Sequence, residues 1–476
     1  MAKQKQTQPQ STVVIPLPKG KKNVVQIGCI CMMLSVAMYG LVFATLTAPI
    51  LEKVNAMGYV SLFSILAGLG VSIMTPIGGK LGDLIGRRNI VVIPGIICAV
   101  CGIAFTFVRS LVPLMILRLL IGVSQGAFMA APYIIVGLIN ERKDVPKAMG
   151  MLATSIAVGG FGGSIIAGIL TDMGLLSAAI IMPAIPLIIG VLLIGFNMPN
   201  QKREGKVTID VSGIVMLVVS LCGILYALNF GSSIGWGQPS IIIGFVIGII
   251  ALVVFINIEK KAKEPLIPLK LFKNSQYTVL LIVGFICYFY QLAMNVYDPI
   301  CAMKVMGVST SVAGALQMPR TIITIFLPTI AGVWVGKKSS NACKAMVIGT
   351  LFVGLPMLAM GFTTTTTSII VYFVALTITG IAESYRCVSI TPSAQAMLSQ
   401  EDMGVGTSLV NFVNSLANTI APAVFGVAYN LNTATDPTNV TFIQNGVNAV
   451  FLLAGVVSII GLVLVLFIVR PAMAEK

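Results

Sequence analysis

The sequence predicts an all-α integral membrane fold, on three observations. The 476-residue chain is 57% hydrophobic and 9% charged, with a mean hydropathy of +1.00, whereas a soluble domain carries about a quarter charged residues to face water. Its apolar residues come in discrete blocks, each long enough to cross about 30 Å of hydrocarbon as a helix. Its cations are segregated onto alternate connections between those blocks.

The blocks fall at residues 24–49, 58–78, 89–108, 111–138, 148–170, 175–197, 211–230, 240–258, 276–302, 311–335, 342–362, 367–397, 405–430 and 446–469. They predict 14 transmembrane helices, separated by charged or Gly/Pro/Asn punctuation. An even number of spans puts both termini on one side, and the positive-inside rule says which. Of the 30 lysines and arginines, 24 fall on the segments that share a side with the termini, and three (Lys53, Arg109, Lys304) on the other set. The remaining three, Arg118, Arg320 and Arg386, lie inside spans. Both termini are therefore expected in the cytoplasm of a multi-pass plasma-membrane protein.

The net charge of +15 carries no nucleic-acid signal, because the cations sit in short clusters between apolar blocks and form no basic face. Residues 1–23, with five lysines among Gln, Pro and Ser, read as a cytoplasmic tail. The apolar run that follows is too long for a signal-peptide core and is expected to act as an uncleaved first span. The nine cysteines have no framework spacing. Cys98 and Cys101 form a C-x-x-C inside an apolar helix in a chain without histidine, which reads as packing rather than as a metal or disulfide site. An intramembrane enzyme would need a catalytic constellation, and the spans offer no histidine and no acid pair. A channel would need a repeated polar ring, and ATP drive a phosphate-binding loop; the sequence offers neither.

The two longest connections on the termini side flank spans seven and eight. The expected organisation is a tail at 1–23, a six-helix bundle at 24–198, a linker region with two extra helices at 199–275, and a second six-helix bundle at 276–476. This 6+2+6 layout suggests an internal repeat with an insert.

Span two ends in Gly79-Lys80-Leu81-Gly82-Asp83-Leu84-Ile85-Gly86-Arg87-Arg88. As chemistry this is a tight turn. Glycines permit close helix approach, Asp83 suits a helix N-terminus or a cation, and Arg87 and Arg88 mark the membrane surface. The run resembles the signature loop of the major facilitator superfamily, G-x-L-[GA]-D-[RK]-x-G-R-[RK], departing from it only at Leu84. The matching connection between spans ten and eleven, Gly332-Val333-Trp334-Val335-Gly336-Lys337-Lys338, lacks the acid and reads as a decayed copy. The 14-span layout is similar to the drug/proton antiporter branch. That likeness implies two six-helix bundles around a central cavity, with the extra pair at the periphery. Arg118-x-x-x-Gly122-x-x-x-Gly126 in span four is similar to the superfamily's second motif. Gly159-x-x-x-Gly163-Ser164-x-x-Ala167-Gly168 in span five resembles the antiporter motif, with Ser164 where proline is usual. As residues, Gly159, Gly163 and Gly168 are read as a helix-packing face.

Charges inside a membrane are costly and commonly mark function. Glu383 and Arg386 lie three residues apart in span twelve, on one face, where they can pair. Span nine carries a stripe of Tyr288, Gln291, Asn295 and Asp298, and span thirteen one of Asn411, Asn414 and Asn418. In the superfamily the first and fourth helices of each half line the cavity. Arg118, Asp298, Glu383 and Arg386 fall on those helices, and Arg320 lies in span ten. The expected roles are proton coupling for Glu383, Arg386 and Asp298, and substrate contact for Arg118, Tyr288, Gln291, Asn295 and Arg320. Gating of the cytoplasmic side is expected of Gly79, Gly82, Asp83, Gly86, Arg87 and Arg88. For the asparagine stripe, interhelical hydrogen bonding is the preferred reading over cavity lining.

The resemblance implies a secondary transporter that moves a small amphipathic solute by alternating access. Export by proton antiport is implied by the branch. Uptake by symport, or uniport of an organic anion, stays open, because Ser164 replaces proline and the intramembrane charge sums to positive. No cofactor is expected, the proton gradient being the energy source. The expected partners are the substrate, protons and membrane lipid, and the expected state is a monomer in a bacterial cell membrane.

Overall fold

The computed structural model describes residues 15, 17–56, 59–201, 210–262, 265–399, 401–433, 436 and 439–470. The first half is built of α1 (Lys19–Glu52), α2 (Val60–Ile85), α3 (Asn89–Ala104), α4 (Leu111–Phe128), α5 (Ala131–Ile139), α6 (Val145–Asp172), α7 (Leu176–Ile181) and α8 (Ala184–Asn197). A pair, α9 (Val211–Ile234) and α10 (Pro239–Lys261), follows. The second half holds α11 (Ser275–Leu292), a π-helical turn at Ala293–Tyr297, α12 (Asp298–Lys304), α13 (Thr310–Ala315), α14 (Met318–Lys337) and α15 (Ser339–Met360). It is completed by α16 (Ile369–Cys387), α17 (Ile390–Ala396), α18 (Met403–Thr433) and α19 (Val440–Leu464).

Among the described residues, 12 helical segments are long and apolar enough to cross a membrane. α2 is not among those twelve, and α3 is a shorter apolar helix. Spans four, six and twelve are each broken once, at Met129–Ala130, Met182–Pro183 and Val388–Ser389. α5 and α8 restart beside a proline (Pro132, Pro183), which lacks the N–H that an unbroken helix would require. Several helices start on side-chain caps. Asp210 accepts from the Gly213 amide at 2.9 Å, and Asn274 from Gln276 and Tyr277 at 3.1 and 3.3 Å; each such cap contributes about 1 kcal/mol.

Two boundaries differ from the sequence reading. α1 begins at Lys19, inside the segment read as tail, and Ile15 is buried with its amide donating to Leu138 O at 2.9 Å. Residues 1–14 lie outside the described set. Most of the signature run is helix: α2 continues through Asp83 to Ile85, and the turn is confined to Gly86-Arg87-Arg88. Gly86 opens it at φ +100°, a conformation that favours glycine. Asn200 seals this corner, donating to Ile85 O at 2.9 Å.

Within the first half α1 packs on α6 and α8, and α4 on α2 and α3. Within the second, α15 packs on α16 and α19, and α11 on α18 and α19. The halves meet along two seams, α2 against α18 and α6 against α14. Each seam pairs the second span of one half with the fifth of the other, as an internal repeat requires.

Both seams are tight at the end that carries the cation clusters, here the basic end. On α6–α14, a Cβ added at Gly150 would collide with Pro328 backbone, one at Gly332 with Pro146 backbone, and one at Gly336 with Lys143 O. Thr154 Oγ1 donates to Ile325 O at 2.8 Å. One turn further from the basic end, Val158 is 40% exposed and Ile322 52%. The copy read as decayed has lost its acid but keeps the glycines that let two backbones touch.

The α9–α10 pair is not wholly peripheral. α10 packs on α9, but α9 rests on both α2 and α18. Its Leu217, Leu221 and Leu225, one turn apart, share an apolar cluster with Ile77, Leu280 and Leu409. Glu259 at the foot of α10 is buried and accepts from the Leu266 and Ile267 amides, both at 3.1 Å, which fixes the strap leading into α11.

Candidate functional site

Helical spacing puts Glu383 and Arg386 on one face of α16, and side chains of α11 reach across to that face. Arg386 pairs with Glu383 through Nη2, and its Nε donates to the second carboxylate oxygen at 3.2 Å. Tyr290 hydroxyl and Gln291 Nε2 also donate to the carboxylate, at 2.9 and 3.2 Å. The Arg386 guanidinium lies 4.0 Å from the centre of the Tyr288 ring, a cation–π contact. Four donors converge on one part-buried carboxylate, which offsets much of the cost of holding its charge away from water.

Farther from the basic end, Arg320 Nη1 donates to Asn295 Oδ1 at 3.2 Å, and its charge acts on both Glu383 and Asp298. Asp298 is fully buried; Oδ2 accepts from Gln317 Nε2 at 2.9 Å, while Oδ1 has no hydrogen-bond partner. It follows directly on the π-helical turn Ala293–Tyr297. Such one-turn widenings are frequent at functional sites because the extra residue re-aims the next side chains.

Toward the basic end, a small cavity lies between the halves. Tyr133 of α5 faces Tyr288, Arg386, Thr391, Asn411 and Asn414 across it. Tyr133 is also held by Gln395 of α17, whose Nε2 donates to Tyr133 O at 3.1 Å and to Thr407 Oγ1 at 3.3 Å. Tyr133, Thr391 and Gln395 belong to none of the stripes or motifs that stand out in the sequence. Of the asparagine stripe, Asn411 and Asn414 reach the cavity and Asn418 is exposed.

The structure thus joins Glu383, Arg386, Tyr288, Gln291, Asn295, Asp298 and Arg320 into one cluster. It does not bring Arg118 to them. Arg118 is held in the first half between the Phe43 and Phe63 rings, at 4.6 and 5.4 Å from their centres.

The signature residues form a second constellation at the basic end. Arg87 pairs with buried Asp83 across one turn, and Gly404 at the start of α18 lies against both. Gly79 packs on Ser408, and Gly82 on Arg87 and Ile90. Asp83 therefore sits where the positive end of α18 points, which favours its charge. Arg88 stays outside this contact and reaches Asn89 at 3.4 Å. In the span-five motif, Gly159 packs on Leu34 backbone and Gly163 on Met38. Gly168 does not belong to that face: a Cβ there meets nothing within 4 Å, and Ala167 takes the buried position.

Two helical halves that meet along two seams, with a polar cluster in the second half beside a small cavity between them, fit a multi-pass membrane transporter. The chain belongs to the Major Facilitator Superfamily, whose family model matches residues 28–422. It is 28% identical over 424 residues to the multidrug transporter protein MdtP of Bacillus subtilis (strain 168), covering 87% of this chain and 76% of that one. It is 26% identical over 360 residues to multidrug resistance protein 3 of the same organism, covering 74% and 68%. Among solved structures, the proton:xylose symporter XylE superposes with a TM-score of 0.64 at 12% identity, covering 93% of this chain and 95% of that one. The human organic anion transporter MFSD10 superposes with a TM-score of 0.63 at 16% identity, covering 94% and 100%. At such identities these two show the fold alone. The chain is a transporter of small molecules and not an enzyme.

Proposed function

We propose that the protein is a proton-coupled exporter of small amphipathic organic solutes, working by alternating access across a bacterial plasma membrane. The observation that carries this reading is the Glu383 cluster. It places a titratable carboxylate beside the inter-half cavity, bound by groups on α11 and α16 that a moving proton would rearrange. The multidrug names of the bacterial relatives support export of drug-like compounds.

In this reading Glu383 carries the proton and Arg386 tunes it, while Tyr288, Gln291, Asn295 and Arg320 meet the solute. The basic end is cytoplasmic, with both termini, and the tight seams there make this an outward-facing state. α2 and α3 complete 14 spans in a monomer, and Asp83 and Arg87 latch the closed gate onto α18. A second reading puts the carrier at Asp298, favoured by its unpartnered Oδ1.

The test is proton flux in liposomes with a trapped pH dye, under an imposed gradient, with a panel of anionic, neutral and cationic amphiphiles. The active compounds drive flux in the wild type, and Glu383→Gln falls to the level of empty liposomes. If Glu383→Gln matches wild type and Asp298→Asn does not, Asp298 is the carrier. If no compound moves protons in folded protein, proton coupling is wrong.

A further inference from the structure

Lys80 is the charged residue of the signature run that the gating assignment leaves out. It is buried, and its charge acts on Glu259 at the foot of α10. Asp210, at the start of α9, is there too: a Cβ on Gly213 would lie 2.5 Å from Asp210 Oδ2 and 3.0 Å from Glu259 Oε1. Three helices thus pool two acids and a lysine at the basic end. Glu259 is the most buried of the three, at 3% exposure. A buried carboxylate is costly unless its lone pairs are engaged. Those of Glu259 are spent on the strap, where they accept the main-chain amides of Leu266 and Ile267, seven and eight residues further on.

The strap continues to α18. Lys270 pairs with Asp402 at 3.0 Å, immediately before that helix. Buried Tyr277, in the first turn of α11, donates to Gly406 O at 2.7 Å, in the first turn of α18. Gly404 lies between these two anchors, and it is the residue that meets Asp83 and Arg87. The path closes on itself: from α2 through Lys80 to Glu259, along the strap to the first turn of α18, and from that turn back to α2. The α6–α14 seam shuts on glycines against main chain. The α2–α18 seam has in addition a brace supplied by the insert. Exposed ion pairs such as Lys270–Asp402 are weak, so the buried bonds of Glu259 and Tyr277 carry that brace.

We propose that Glu259 is a positioning residue of the gate at the basic end. Through the strap it holds the first turn of α18 where Asp83 and Arg87 close on it, so the inserted pair sets how firmly the α2–α18 seam shuts. The α9–α10 pair is then a working part of the gate. The proposal rests on the alternating-access reading, and its test separates the two. It is independent of whether Glu383 or Asp298 carries the proton.

The experiment uses the full chain in lipid nanodiscs, freed of its native cysteines and carrying Ser408→Cys, with N-ethylmaleimide as the probe. Ser408 is fully buried on the α2–α18 seam against Gly79, so its labelling rate reads how often that seam opens. In a parallel chain, a Thr154→Cys/Thr329→Cys crosslink reads the other seam. Gly332→Leu is the control and is expected to speed labelling at 408. If it does not, the basic end does not open as a gate, and the alternating-access reading falls and takes this proposal with it. Where the control responds, Glu259→Gln is expected to speed labelling about fivefold or more and to leave the 154–329 crosslink unchanged, because the lost bonds serve one seam. Tyr277→Phe is expected to act in the same direction. The double variant is expected to exceed the stronger single by less than about twofold, since both act through one strap. Unchanged labelling in Glu259→Gln, fully additive effects of the two variants, or loss of the 154–329 crosslink alongside protection at 408 would each overturn the proposal. The last would make Glu259 a general support of the fold.

Discussion

Arg386→Met is expected to destabilise the second half by roughly 3–5 kcal/mol, the usual cost of leaving one member of a buried ion pair alone. The cause is not the lost attraction by itself. Glu383 would keep Tyr290 and Gln291 as donors but lose both bonds from the guanidinium, and Tyr288 would lose the cation over its ring. The double variant Glu383→Gln/Arg386→Met removes the stranded charge and is expected to recover most of the loss. A thiol-reactive dye gives the measurement, since buried cysteines such as Cys287 and Cys301 become reactive on unfolding. A single variant as stable as wild type would mean that water reaches Glu383 freely and that the pair contributes nothing to the bundle.

Gly332→Leu is expected to break closure of the basic end. A Cβ at this position already overlaps the Pro146 backbone, and backbone cannot rotate aside as a side chain can. Overpacking of this kind costs about 1–3 kcal/mol, which shifts a two-state equilibrium about 5–150-fold toward the state in which α6 and α14 separate. The readout is a disulfide between cysteines placed at Thr154 and Thr329, whose hydroxyls are 3.3 Å apart, in a background without other cysteines. Crosslinking is expected to be efficient with glycine at 332 and poor with leucine, with transport reduced in parallel. Equal crosslinking in both would show that the seam is too loose to act as a gate.

The parts of this fold that depend on one helix at a time were legible in the sequence. Block length gave most of the spans, and the spacing of Glu383 and Arg386 gave their pairing, because positions three apart share a helix face whatever surrounds them. What depends on the azimuth of one helix against another was not. Tyr290 lies off the stripe of Tyr288, Gln291 and Asn295, yet it meets Glu383 because α11 turns that side toward α16. Arg118 sits on a helix expected to line the cavity, but on a face turned into the first-half core. Gly168 follows the motif spacing and faces open space. The motif copy that lacks the acid kept its glycines, which a pattern weighted toward charged residues undervalues. Tyr133 and Gln395 meet across 262 residues of chain, a contact that no local pattern encodes.

That last contact has a consequence for how the gate can change over generations. Gln395 bonds to the main-chain carbonyl at position 133, an acceptor every amino acid supplies. Replacement of Tyr133 alters the cavity wall without removing this bond between the halves, so the chemistry of the wall can drift while the contact persists. Whether this one bond forms depends on residue 395, with no compensating change needed on the other half. A transporter built this way can adapt to new solutes and adjust how readily it opens as two separable traits.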